Sequence, residues 1–315
     1  MKVLVTGSEG VFAQQAIIEL LANGHVVTGV DNLSKYNEVK NTGQYELIQG
    51  DLTDYDFVTS LFNDSSYDIV FHFAALIYGV LWYDKYPAEV LGKNITMTSN
   101  LLLNHKSIGK FVYISSSMVY EKTEFYPSKE QDTDYINIMS TDYGFSKYAC
   151  ERLVEAYYKQ YELPYLIWRP FNVFDINEKI SKDEGKGHVF SDLVRKILID
   201  QQMPVKLLGN GEQTRTFIDI RDAAYAIANL SDQIIGRYNL GTEREITIKE
   251  LAIIIADTAI ELDLLSSSYN LQFETTNVHI NDVKRRKPDT SKLQAHWSPR
   301  ITIEQSVKAF LTCLL

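Results

Sequence analysis

Short apolar runs alternate with amphipathic stretches through the first half of the chain. Residues 2–6, 26–31, 45–49, 69–73, 111–115 and 165–169 are rich in β-branched and aromatic side chains and read as strands. They are continuous rather than alternating in polarity, the pattern of strands covered on both faces. Between them, 14–23 sets Ile17, Ile18, Leu20 and Leu21 at helical spacing and stops at Asn23-Gly24, a left-handed terminus. Residues 57–62 and 95–104 belong to further helices, and 142–161 forms a long one.

Strand and helix in strict alternation predict an α/β fold, a doubly wound parallel sheet of Rossmann type. After Pro170 the periodicity loosens. Residues 172–188 carry several charges and no clear pattern, and helices are predicted near 191–200, 221–230 and 248–260. A locally basic run, 284–287, lies between Pro288 and the third of these helices. The expected organisation is a larger doubly wound domain over 1–170, with 214–230 returning to it, and a smaller C-terminal α/β lobe over 171–315.

Composition narrows the function. The 315 residues are 45% hydrophobic and 23% charged, ordinary for a globular protein, and carry a net charge of -10. That acidity disfavours a nucleic-acid surface, which needs a basic field. The two cysteines, Cys150 and Cys313, have no metal-ligand spacing and make no disulfide framework, so no metal is expected and a reducing, cytoplasmic compartment is. The chain opens on a strand, with no basic region ahead of an apolar stretch, so no signal peptide is expected. The longest apolar run, 69–83, is interrupted by His72 and Gly79 and falls short of the ~18–20 residues of a membrane helix; it reads as a buried strand and a loop.

Three features bear chemistry. Gly7 and Gly10 follow a strand and precede a helix: the first allows a tight turn, the second lets the backbone approach a pyrophosphate at the helix N-terminus, and Ala13 stands where a third small residue packs helix on strand. Asp31 closes the second strand, where a carboxylate accepts both hydroxyls of an adenosine ribose and repels a 2′-phosphate, favouring NAD over NADP. Asp51 ends the third strand, within reach of an adenine or as a turn residue. Tyr143 and Lys147, one helical turn apart, share a face; the ammonium lowers the phenol's pKa from its reference of ~10 and prepares it to take an alcohol proton. The serines 115–117 end the fifth strand nearby.

With TGSEGVFA at 6–13, VDNLS at 30–34, GDLTD at 50–54, FHFAA at 71–75, SSSMVY at 115–120, YGFSK at 143–147, RPFNVF at 169–174 and GNGEQTRTFIDIRD at 209–222, the chain resembles the extended short-chain dehydrogenase/reductase superfamily, in its nucleotide-sugar epimerase/dehydratase branch. The resemblance implies Tyr143 as acid/base, Lys147 on the nicotinamide ribose, and Ser116 as the catalytic hydroxyl. It implies Gly7, Gly10, Asp31, Asn32, Asp51, Leu52, Ala74 and Ala75 around NAD. Toward a nucleoside-diphosphate sugar it implies Ser117, Asn172, His188, Val189, Arg215 and Arg285, or Arg286 in place of the last. The 4,6-dehydratases of the branch carry an Asp-Glu pair where Ser117 and Met118 stand, so dehydration is disfavoured. GDP-sugar epimerase–reductases use a cysteine at the Met118 position, although 74–94 and 187–196 resemble that group. The expected activity is therefore epimerisation through a transient 4-keto sugar. A 4-dehydrogenase, oxidase or ketoreductase is the alternative, and a non-catalytic dinucleotide sensor the remote one. A homodimer is expected through a four-helix bundle formed by helices 95–104 and 142–161; Ala149, Val154, Ala156, Tyr157 and Tyr158 exceed one buried stripe.

Overall fold

Strands that are apolar on both faces fold only where helices cover both, and the chain supplies them in order. The computed structural model describes residues 1–35, 39–40, 43–77, 85–135, 141–176, 178, 180, 188–275 and 283–314. The elements are β1 (Lys2–Thr6), α1 (Val11–Ala22), β2 (Val26–Asp31), β3 (Glu46–Gln49), α2 (Tyr55–Ser60), β4 (Ile69–His72), α3 (Pro87–Leu102), β5 (Phe111–Ile114), α4 (Asp142–Tyr161) and β6 (Tyr165–Pro170). A further strand, Gly236–Leu240, pairs parallel with β6 and completes a seven-stranded sheet in the order Gly236–Leu240, β6, β5, β4, β1, β2, β3. The chain moves outward from β1 to β3, then returns to β1's other side as β4. That reversal opens a crevice at the C-terminal ends of β1 and β4, where Thr6 lies opposite His72.

Side-chain alternation divides the core. Along β1, Val3 and Val5 point into one layer with Ala16, Ile17 and Leu20 of α1 and with Ala223, Ala224 and Ile227. Leu4 points into the other, with Val70, Phe111, Leu101 and Cys150. All three β1 side chains are fully buried, each worth about 1.5–3 kcal/mol of transfer free energy. Cys150 packs inside this second layer as a small apolar residue, and burial pushes its thiol pKa up.

Two helices begin earlier than the apolar pattern predicts. α1 starts at Val11, directly on Gly10, whose extended backbone (φ -68°, ψ 145°) caps it. α3 starts at Pro87, a residue suited to a first helical turn because its missing N–H leaves no donor unsatisfied. The segment after Pro170 makes small sheets around a second core, in which Phe174, Phe190, Leu251, Ile255 and Phe310 meet. Here α5 (Val189–Val194) starts just before the expected 191–200 helix, which continues as a wider π turn over Arg195–Ile199. The helix Ile220–Leu230, α6, shares one core cluster with α1 and β1. No helix among the described residues is long and apolar enough to cross a membrane.

Candidate active site

The glycine turn is built by a close approach. Gly7 adopts φ +68°, and its N–H and that of Ser8 both donate to the Val30 carbonyl, at 2.7 and 3.2 Å. A Cβ on Gly7 would stand 2.7 Å from the Ala74 nitrogen and 2.8 Å from its Cα, so only glycine lets the ends of β1 and β4 meet. Gly10 donates to the Gly7 carbonyl at 3.0 Å and leads into α1, whose first N–H groups have no partner within the helix. The turn leads through Gly10 onto the helix N-terminus, whose N–H donors, free of a side-chain cap, suit a pyrophosphate. Gly7→Ala is therefore expected to weaken NAD binding about ten- to a hundredfold in an equilibrium titration, since the added carbon must displace backbone. Unchanged affinity would remove the turn from the binding site.

Asp31 Oδ1 accepts the Leu33 N–H at 2.7 Å and Oδ2 the Glu9 N–H at 3.0 Å, which leaves each oxygen further acceptor capacity for a ribose hydroxyl. Asn32 caps the Ser34 N–H. Asp51 Oδ1 accepts both the N–H and the hydroxyl of Thr53 at 2.9 Å. Burial works to raise the Asp51 carboxyl, but hydrogen bonds from Thr53 and Asn32 outweigh it and hold the group below the usual carboxylate range. Leu52 is buried, and its carbonyl accepts from Asn100 Nδ2 at 2.9 Å. Ala74 and Ala75 are half-buried at the lip of β4.

His72 locks that lip. Its Nδ1 lies 2.7 Å from Thr6 Oγ1 and its Nε2 3.1 Å from Thr98 Oγ1. The Thr98 hydroxyl donates to the Asn94 carbonyl, and Thr6 Oγ1 also accepts from the Ala74 N–H at 3.4 Å. The pattern assigns the neutral Nε2–H tautomer, with Nδ1 accepting from Thr6. Burial, assisted by the Lys147 charge, pushes the imidazole pKa down to about 3, so it stays neutral. Asn94 holds both the N–H (2.7 Å) and carbonyl (3.1 Å) of Leu76 and donates to Ser146 on α4 (3.1 Å).

α4 carries Tyr143 in its first turn and Lys147 in its second. Both are buried, at 5% and 3% exposure. Tyr143 packs against Met118 and Val90. Lys147 Nζ donates to the Ile114 carbonyl at 2.8 Å and lies 6.0 Å from the centre of the Tyr143 ring. Of the three serines, Ser115 and Ser117 are buried and Ser116 alone is partly accessible. Ser115 donates to Glu151 at 2.5 Å, and Ser116 Oγ accepts the Met118 N–H at 3.2 Å. The helix N-terminus is pinned by Glu121, whose carboxylate accepts the N–H (2.8 Å) and hydroxyl (2.9 Å) of the capping Thr141.

Burial pushes the Lys147 pKa down to about 8, opposed by Cys150 and Glu151. The ammonium is thus present at neutral pH and lost as pH rises through about 8. If Lys147 supports a Tyr143 phenolate, the pH–rate profile bends downward there. A rate that climbs without a break to about pH 10 would show that the Lys147 charge does not support the reaction.

The residues expected to meet substrate divide. Asn172 (φ 43°) donates from Nδ2 to the Thr216 carbonyl at 2.8 Å, and Arg215, 8% exposed, sits beside it in the strand Thr214–Thr216. Arg285 pairs with the neighbouring Thr214 and is held from the side by a carboxylate. Its guanidinium forms a fork with Glu245, at 2.7 and 2.8 Å, and this contact holds the Glu245 carboxyl down at about 2. Arg286 is the register partner of Arg215, and side chains of register partners lie on one face. Both arginines thus border the Thr214–Thr216 strand, Arg285 held by Glu245 and Arg286 in register with Arg215. His188 precedes α5 with its side chain exposed; its Nδ1 lies 2.9 Å from Glu178, a contact that raises the imidazole pKa. Val189 opens α5 and is 38% exposed. Residues 78–84 of the 74–94 segment, and residue 187, lie outside the described residues.

Sequence reasoning passed over His72, Asn94, Glu121 and the buried Glu151–Arg169 pair, at 1% and 0% exposure, which braces the β5 end. FHFAA contained the histidine, but its partners Thr6 and Thr98 are distant in sequence.

Comparison with known proteins agrees with this geometry. A model of the NAD dependent epimerase/dehydratase family matches residues 3–241. A UDP-N-acetyl-alpha-D-glucosaminuronate decarboxylase of Bacillus cytotoxicus is 30% identical, covering 97% of this chain and 95% of its own. The structure of a UDP-glucose 4-epimerase from Thermotoga maritima with UDP-glucose superposes with a TM-score of 0.87 at 23% identity, over 100% of this chain and 98% of that one. That of a UDP-N-acetylglucosamine 4-epimerase from Methanobrevibacter ruminantium with UDP-N-acetylmuramic acid gives 0.83 at 26%, over 99% and 97%. The dinucleotide turn, the doubly wound sheet and the family match converge: the chain belongs to the NAD-dependent epimerase/dehydratase family of nucleotide-sugar enzymes.

Proposed function

We propose that this chain is a nucleotide-sugar epimerase that inverts one carbinol centre, most simply sugar C4, through a transient ketone. The observation that carries the reading is the wall beside Tyr143, where Met118 and Val90 are buried at 3% and 2% exposure and Leu76 packs with them. Elimination of water, or a second proton transfer at a neighbouring carbon, requires another acid–base group at that wall. Among the described residues packed there, carbon and a thioether cannot serve.

The bound dinucleotide would supply the hydride acceptor and return the hydride to the opposite face of the sugar. The chain's residues do the rest. Tyr143, as phenolate, accepts the hydroxyl proton while the carbinol C–H bond breaks and C=O forms, and it gives the proton back on reduction. Lys147 stabilises the phenolate, and Ser116 donates to the reacting oxygen. Arg215 and Arg286 hold the diphosphate, so the sugar can turn over while tethered. Asn172, Ser117, His188 and Val189 shape the sugar pocket. Residues 1–170 with the returning segment hold the cofactor, and 171–315 mainly the substrate.

UDP-sugars are the first substrates to test, because the 30%-identical relative and the 26%-identical epimerase are both named for them. GDP-sugars form the second arm. Interconversion of epimers, followed by NMR without accumulation of reduced cofactor, supports the reading. Stoichiometric cofactor reduction with release of a keto sugar shifts it to the 4-dehydrogenase, and carbon dioxide release from a UDP-uronic acid shifts it to decarboxylation. The assembly we propose is a homodimer through α3 and α4. Their outer faces hold a groove of about 450 Å³ lined by Ile95, Phe145, Tyr148, Ala149, Arg152 and Leu153, with Phe145 47% exposed.

A further inference from the structure

Glu9 stands between the two glycines of a turn that receives an anionic pyrophosphate, an unfavourable place for a carboxylate. It is nevertheless 2% exposed. Its Oε1 accepts the Tyr45 hydroxyl at 2.5 Å, its Oε2 accepts the Lys40 backbone N–H, and its own N–H donates to Asp31 Oδ2 at 3.0 Å. Gln14 Nε2 closes the cluster, donating to the Tyr45 oxygen at 2.7 Å and to the Ser8 carbonyl at 2.6 Å. The Tyr45 ring rests on β2: a Cβ on Gly29 would be 2.5 Å from its Cε2. Burial, with the Glu9 contact, raises the Tyr45 phenol well above its ordinary range, so it remains a donor throughout the working pH range.

We propose that Glu9 is a positioning and specificity residue for the dinucleotide. It fastens Lys40 and Tyr45 to the glycine turn, and its side chain is a second carboxylate, on the residue whose backbone N–H holds Asp31, which disfavours a 2′-phosphate. The argument rests on the NAD reading of the turn. Asp31 has acceptor capacity left for two ribose hydroxyls. A phosphate on the 2′ oxygen would bring about 1.5–2 negative charges against Asp31 and into the neighbourhood of the side chain of Glu9, the residue whose backbone N–H is the donor to Asp31. The repulsion acts in a half-buried crevice, where charges are poorly screened. The pyrophosphate is spared, because the carboxylate is turned toward Tyr45 and Lys40.

The test measures NAD⁺ and NADP⁺ dissociation constants and melting temperatures for wild type, Glu9→Gln and Tyr45→Phe. Glu9→Gln keeps the shape and removes the charge; it is expected to reduce the preference for NAD⁺ about tenfold. Tyr45→Phe keeps the charge and cuts the strut, so both dinucleotides should weaken by a similar factor with the preference unchanged. If Glu9→Gln does not fold, Glu9→Ser supplies the same comparison. A preference within about twofold of wild type in the charge-free variant overturns the assignment. A wild type that binds neither dinucleotide overturns the cofactor reading itself, and is told apart because it fails before any variant is compared.

Discussion

Tyr143→Phe is expected to lower kcat about a thousandfold while leaving NAD affinity within about twofold of wild type. The substitution removes one oxygen and keeps a ring that is 5% exposed and packed on Met118 and Val90, so little else changes. The loss is that of proton transfer to and from the carbinol oxygen. A phenol acting on the reacting oxygen, as proposed, requires kcat and kcat/KM to fall together. Lys147→Met should fall on the same axis with an added loss of cofactor affinity, since that ammonium, donating to the Ile114 carbonyl at 2.8 Å, sits at the end of β5 beside the cofactor crevice. Unchanged turnover in Tyr143→Phe, measured by interconversion of the sugar epimers, would remove Tyr143 from the acid–base role, whereas a wild type without turnover would place the chain among dinucleotide sensors.

Local pattern was sufficient where local forces decide. The bounds of α4 follow from its own residues: Thr141 caps one end by accepting the Gly144 N–H at 3.0 Å, and Glu162 takes a left-handed conformation (φ 58°) at the other. The apolar runs of β1, β2 and β4 are buried on both faces, so their composition alone marks them. The strand Gly236–Leu240 reads as polar, GRYNL, and escaped notice for a physical reason. Asn239 is fully buried because Glu130, Ser128, Asp289 and Tyr120, all distant in sequence, meet its polar atoms.

The site was legible to a similar degree. Tyr143, Lys147 and the glycine turn announce themselves through spacing within one element. The placement of Arg285 and Arg286 does not, because it depends on pairing with Thr214–Thr216, distant in sequence. Glu9 and Glu151 look like surface charges in sequence. Their burial is permitted only by partners that the fold brings from elsewhere, such as Tyr45 and Arg169.

Arg169→Ala is expected to destabilise the protein by about 3–5 kcal/mol, the largest stability effect of any single replacement considered, because it strands the Glu151 charge in the core. The guanidinium is fully buried, and its five N–H groups have five acceptor contacts. Nε and Nη2 meet Glu151 at 3.0 and 2.5 Å; Nη1 meets the Tyr120 hydroxyl at 2.6 Å and the Glu130 carbonyl at 2.8 Å; Nη2 also meets Thr133 at 3.0 Å. Burial opposes the Arg169 charge, but Glu151 outweighs it and holds the group more firmly protonated than in water. Losing the pair costs more than the pair itself is worth: the net attraction is small after desolvation, whereas an unmatched carboxylate has no water to turn to. Arg169→Met with Glu151→Leu should therefore recover part of the loss in a denaturant titration. Recovery of stability need not restore turnover. Ser115 loses its acceptor in the double variant, and it neighbours Ser116 at the end of β5, so kcat should stay depressed while the fold returns. Equal stability of Arg169→Ala and wild type would mean that Glu151 finds protonation or solvent without cost, and that the pair does not brace the catalytic strand end.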